Sequence, residues 1–146
     1  MIRTLRQQNG EAGSILLEFA LVTLVLLTVL FGIIDVGRAL FAYDFVSDAA
    51  RRGTRFAMVR GTSCSGLAGG CPAAQSDIQT YLSSNAPGIN TSNLTVTATC
   101  QPGGGALPCK PGTPVNVKVQ YTFSFFSPLV PSSWVMSSSS QRVVSQ

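Results

Sequence analysis

The sequence predicts an α+β protein in which one long N-terminal helix, transmembrane and then amphipathic, is packed by a small antiparallel sheet in a disulfide-stapled head. Three observations predict it. Residues 15–34, ILLEFALVTLVLLTVLFGII, hold one charge and no proline. Farther along, two runs alternate strictly between apolar and polar residues, the mark of half-buried strands. All four cysteines lie beyond the apolar run.

Length and composition narrow the function. A chain of 146 residues accommodates one modest domain plus an appendage. It has no histidine, which removes the usual general base, the Ser-His and Cys-His nucleophile pairs and the commonest metal ligand. We therefore expect no enzyme, no cofactor and no metal site. Charged residues make up only 11% of the chain, and a mean hydropathy of +0.31 points to a part that sits in lipid. The formal net charge of +4 does not argue for nucleic acid, because residues 61–146 carry only Asp77, Lys110, Lys118 and Arg142.

The first element is the apolar run. Twenty residues at about 1.5 Å each cover about 30 Å, the thickness of a bilayer core. Backbone groups in lipid must bond internally, so the run is a membrane-spanning helix. A secretory signal peptide is the competing reading, since Arg3 and Arg6 resemble its basic front end. Its apolar core would be about 7–15 residues long and followed by small residues. Here the core is longer, and a helical pattern runs on through IIDVGRALFAYDFVSDAARRG.

Flanking charge does not decide orientation, because Arg3 and Arg6 precede the run while Arg38, Arg51 and Arg52 follow it. Cysteine usage does. Cys64, Cys71, Cys100 and Cys109 have C-x6-C and C-x8-C spacings, unlike the short pairs of zinc sites. Two disulfides in an oxidising compartment fit better, which leaves the N-terminus in the cytoplasm. Of the three connectivities that four cysteines allow, Cys64 with Cys71 and Cys100 with Cys109 each close a short Gly- or Pro-rich loop.

Hydropathy alone leaves Glu18 unexplained. A carboxylate in a membrane helix costs a few kcal/mol at the bilayer centre and less near an interface, so it needs a partner, a purpose or a route to snorkel. Gly13 stands just before the apolar run, with Ser14 next and Glu18 five residues after the glycine, followed by Phe19. This pattern resembles the type IV prepilin signal, and the Glu-Phe pair is similar to that of the tight-adherence, or Flp-type, branch. The resemblance implies that a membrane aspartyl peptidase cuts between Gly13 and Ser14 and leaves Glu18 at the fifth mature position. The new α-amine, with a reference pKa of about 8, is largely protonated at neutral pH. It implies further that this amine on one subunit neutralises Glu18 of another and sets the register of an entering subunit. An unpaired charge in a low-dielectric site is penalised far more than a paired one. A topology signal that merely snorkels is the alternative.

Beyond the span, Val36, Leu40, Tyr43, Val46, Ala50, Gly53 and Ala57 recur at three- and four-residue steps, predicting a continuous helix to about Arg60 with one buried stripe. Asp35 with Arg38, and Asp48 with Arg51 or Arg52, are favourable pairs of a few tenths of a kcal/mol each. Ala49, Gly53 and Ala57 allow close backbone approach by the chain's own sheet, or by a second subunit. Arg51, Arg52, Arg55 and Arg60 complement the dipole at the helix end, with anionic headgroups or acidic neighbours as the other reading.

The segments Gly32-Ile33-Ile34-Asp35-Val36-Gly37-Arg38 and Ala49-Ala50-Arg51-Arg52-Gly53-Thr54-Arg55-Phe56-Ala57 resemble the G-x-x-[DE]-x-G-R and A-A-R-x-G-x-R-x-A patterns of TadE-like minor pseudopilins of tight-adherence systems. The likeness covers residues 13–59 well and the rest in outline. It implies a pilin-like fold with a periplasmic head, and assembly with other pilins or pseudopilins by a dedicated ATPase and membrane platform. Ser14 departs from the phenylalanine that many type IV pilins carry first after the cut, so N-methylation is not carried over.

Residues 61–146 form the head, after a leader at 1–13, the span at 14–34 and the amphipathic continuation at 35–60. A loop from Gly61 to Pro72 leads to a short helix over 73–84, which ends near Pro87-Gly88. Leu94, Val96 and Ala98 alternate with threonines, and Val115, Val117, Val119, Tyr121 and Phe123 alternate with polar residues, predicting two strands. Residues 135–144 return as a third beside the second. A unit of this size gains from disulfides. Gly103-Gly104-Gly105 lacks the Lys-Ser pair of a phosphate loop, and the sequons at Asn90 and Asn93 read as turns. Phe125, Phe126 and Trp134 are expected to cover the long helix as core, an exposed contact patch being the alternative.

The reading is therefore a minor pseudopilin, cleaved by a prepilin peptidase and entering, priming, capping or adapting a pilus-like fibre. It would sit in the bacterial inner membrane as a single-pass protein with a periplasmic head. The alternative is an uncleaved membrane-anchored envelope domain that binds a ligand or partner.

Overall fold

In the computed structural model, residues 8–126 and 133–145 are described, with side chains from residue 13 onward. Most of the leader, and residues 127–132 of the aromatic stretch, lie outside the described residues. Helix α1 spans Gln8–Met58, about 76 Å of unbroken helix. It is followed by α2 (Gln75–Ser84), a single 3-10 turn at Thr91–Asn93, and strands β1 (Leu94–Cys100), β2 (Pro114–Ser124) and β3 (Ser133–Val143). The strands form an antiparallel meander in the order β1-β2-β3. Leu94 faces Tyr121 and Cys100 faces Val115 across β1 and β2. Pro114 faces Val143 and Ser124 faces Ser133 across β2 and β3.

The core lies between the C-terminal half of α1 and one face of this sheet. Val115, Val117, Val119, Tyr121 and Phe123 of β2 are buried, as are Leu94, Val96 and Ala98 of β1. Strand β3 contributes Met136 from the same face. Its next inward residues are Ser138 and Ser140, which let the helix come close. The buried hydroxyl of Thr54 donates to Ala50 O at 2.7 Å and to Ser140 O at 3.1 Å, tying α1 to β3. Helix α2 closes the side with Ile78 and Leu82, and Asp77 accepts the Ala74 N–H at 2.8 Å to cap its first turn.

The end of α1 is satisfied by distant chain. Ser145 donates its N–H to Met58 O at 2.9 Å, and Ala73 donates to Arg60 O at 3.0 Å. Arg60 donates to Phe56 O at 3.5 Å and to Ala68 O at 3.2 Å while its guanidinium lies 3.8 Å from the Phe56 ring centre. That matches the helix-end role for this arginine. Arg51, Arg52 and Arg55 are exposed, and Arg51 lies about 26 Å along the axis beyond Ile34, too far for headgroups next to the span. Among the described residues Asp48 pairs with Arg52, at 2.5 Å, and not with Arg51.

Two expectations are corrected. Val36, Leu40 and Tyr43 do not share the buried stripe; they are exposed, whereas Val46, Ala50, Gly53 and Ala57 are buried. At roughly 100° per residue the two groups centre about 80° apart, so three- and four-residue steps merge two faces into one apparent stripe. Nor are the aromatics all core. Phe125 is half-buried, but Phe126 is 80% and Trp134 63% exposed, because the small buried face of α1 ends below them.

At Gly53 the layers approach closely. A Cβ there would meet Val117 Cγ1 at 3.1 Å and the Ile78 and Leu82 methyls at 3.3 Å. Gly53→Val should therefore destabilise the head by about 1–3 kcal/mol despite the better helix former. Chemical unfolding of the full-length protein in detergent reads this, and an unchanged midpoint would refute the close packing.

Candidate functional site

Gly13, Ser14, Glu18 and Phe19 lie on the first turns of α1, all exposed. Ser14 and Glu18 are one turn apart, about 6 Å along the axis. The Gly13–Ser14 bond lies inside the helix, and a Cβ at Gly13 would meet nothing within 4 Å. Glu18 has no ion-pair partner among the described residues. Around it Ile15, Leu16, Leu17, Phe19, Leu21 and Val22 are each more than half exposed. The helix has an 18-residue stretch of mean hydropathy 2.6 that is 6% buried, so it is long and apolar enough to cross a membrane and keeps its apolar surface outside the protein. Thr28 returns its hydroxyl to Leu24 O at 2.8 Å, which satisfies that donor within the helix.

The second constellation stands where this apolar surface meets the head. Asp35, read from sequence as half of a surface pair, is 4% exposed. Its carboxylate accepts the Phe126 N–H at 3.2 and 3.1 Å and pairs with Arg38 at 3.3 Å. The Arg38 guanidinium lies 5.3 Å from the Phe123 ring centre and 4.7 Å from that of Phe126, favourable cation–π geometry. The end of β2 is thus clasped to the first turn of α1 beyond the apolar run. The G-x-x-D-x-G-R pattern pointed at Asp35 and Arg38, but a partner 91 residues away left no local signal. A Cβ at Gly32 or Gly37 would meet nothing within 4 Å, so no contact among the described residues requires glycine there.

The cysteines fall into two pairs, Cys64–Cys71 and Cys100–Cys109. The first staples the loop after α1. The second joins the end of β1 to the segment leading into β2, beside the Cys100–Gly105 bridge. Cys109 is buried and its carbonyl accepts the Thr62 N–H at 2.9 Å, so this staple also holds the end of the helix. Both pairs are structural, far along the chain from Glu18 and Asp35.

The sequence model of the TadE-like protein family matches residues 13–55. The match begins at the glycine before the apolar run and ends in the arginine-rich turns of α1, taking in Glu18, Asp35 and Arg38. No curated protein and no solved structure matches the chain.

Asp35→Ala leaves the part-buried Phe126 N–H and Arg38 without this acceptor, so the head should lose about 1–2 kcal/mol. Hydrogen exchange of the full-length protein in detergent should speed up at Phe126 and stay slow at Val117. Equal exchange at Phe126 in both proteins would remove the clasp.

Proposed function

We propose, from the premise of a TadE-like chain of the tight-adherence pilus system, that the protein is a minor pseudopilin: a prepilin peptidase removes residues 1–13, and the processed subunit helps to prime, cap or adapt the pilus. The observation that carries this reading is Glu18, a lone charge on an exposed apolar helix, unpaired among the described residues and one turn from Ser14. In hydrocarbon such a group calls for an opposite charge. Cleavage creates one at Ser14, and in an assembly the amine of a neighbouring subunit supplies it.

The helix is suited to processing at this place. A peptidase needs its substrate bond in extended form, and Gly13 lowers the cost of opening that turn by about 1 kcal/mol relative to alanine. Among the described residues no packing resists the opening. Farther along, Gly32 and Gly37 leave room for a neighbouring helix to approach, as small residues do between helices in membranes. The role is structural and not catalytic. Its partners are the membrane, the peptidase, other pilins or pseudopilins, and the platform and ATPase that drive assembly. The subunit waits in the inner membrane with its head in the periplasm, where the disulfides persist, until it enters the fibre.

N-terminal sequencing of protein extracted from membranes tests this. Cells with active prepilin peptidase should yield Ser14 as the first residue, and cells without it the intact leader. Recovery of the intact leader in both would replace this reading with that of an uncleaved envelope anchor. Glu18→Ala should insert into the membrane at the normal level yet abolish or strongly reduce pilus formation, read by electron microscopy of cells and by membrane fractionation. Normal pili would remove Glu18 from assembly.

A further inference from the structure

We propose that the end of the head nearest the span is a bilayer-contacting surface whose occupant is phospholipid. This rests on the reading that α1 crosses a membrane. Residues 15–34 fill about 30 Å of hydrocarbon, and Asp35 is the next residue. Because Asp35 accepts the Phe126 N–H at 3.1–3.2 Å, the end of β2 is pinned to the level at which the helix leaves the hydrocarbon. Val36 and Leu40 lie about 1.5 and 7.5 Å beyond Asp35 along the axis, within or at the edge of the headgroup layer.

The residues held at that level are those a bilayer interface selects. Phe126 is 80% exposed and Trp134 63%, and Val135, Val36 and Leu40 are also more than half exposed. Trp134 pairs across the sheet with Phe123, whose ring lies beneath the Arg38 guanidinium. Between α1 and β3 a groove of about 420 Å³ runs past Val36, Leu40, Tyr43, Phe125, Trp134 and Met136. In water this aromatic surface would be costly. At a membrane interface Trp and Tyr are the favoured residues, since their rings combine an apolar body with a polar edge. Val36 and Leu40 continue the lipid-facing surface of the span without a break, and Arg38, 42% exposed along its side chain, stands at phosphate height. The head therefore rests against the membrane from which its helix emerges, and withdrawal into a fibre must strip lipid from this face.

Trp134 is the single tryptophan of the chain, so the full-length protein reports on its own surface. It is reconstituted into vesicles of phosphatidylcholine and phosphatidylglycerol whose acyl chains carry bromine either close to the carbonyls or close to the terminal methyls. Trp134 should lose at least half of its emission to the shallow bromine, much less to the deep bromine, and little to iodide in the buffer. Quenching by iodide with none by either lipid would overturn the proposal. Shielding from all three quenchers would also overturn it, because a second protein would then cover the face. Leu24→Trp in a Trp134→Phe background is the control for the premise and should be quenched best by the deep bromine. If it is and Trp134 is not quenched by lipid, the interface contact alone fails; if it is not, the crossing helix and the contact fail together.

Discussion

One helix has to serve two solvents, and the rest of the structure follows from how its faces are divided between them. Along its N-terminal half α1 turns large apolar side chains outward on all sides, since hydrocarbon accepts them from every direction. Along its C-terminal half it needs one face to meet a sheet, and that face is built from Ala42, Val46, Ala49, Ala50, Gly53, Thr54 and Ala57. Small residues bring the backbones together, so the sheet supplies the volume through its valines and aromatics. The helix can remain continuous because this change is one of side-chain size, and none of its 51 residues is proline.

Asp35 stands at the boundary between these regimes. An acid there would be expensive in hydrocarbon and of little worth in water. Buried at the junction with the Phe126 amide and Arg38, it fixes where the head begins relative to the span. The level of Phe126 along α1 is then set by this hydrogen bond. Glu18 occupies the opposite situation, with an exposed charge and no partner among the described residues. Glu18 and Asp35 are thus acids of different kinds, one exposed on the apolar half of the helix and one satisfied inside the fold.

Much of the architecture was legible because it is written in local pattern. The twenty apolar residues, the alternation in β1 and β2 and the short loops between cysteines each depend on neighbours within a few residues, and each appears in the structure close to its predicted place. The family match over residues 13–55 coincides with the apolar helix and its first amphipathic turns, the stretch in which sequence spacing alone carries the resemblance.

What the amino-acid sequence determined by itself was therefore the period of each element and the reach of the span, because bilayer thickness and strand pleat act on contiguous residues; of three thiol pairings it favoured the one that the structure holds. Only the tertiary structure decided which side of α1 is buried, that Asp35 is a clasp and that Phe126 and Trp134 stay outside. Two helix faces about 80° apart share the same three- and four-residue steps, and the amide that meets Asp35 comes from 91 residues away. Neither a helix's rotation toward its sheet nor a contact at that separation can be expressed by spacing along one segment; both are settled when the layers pack.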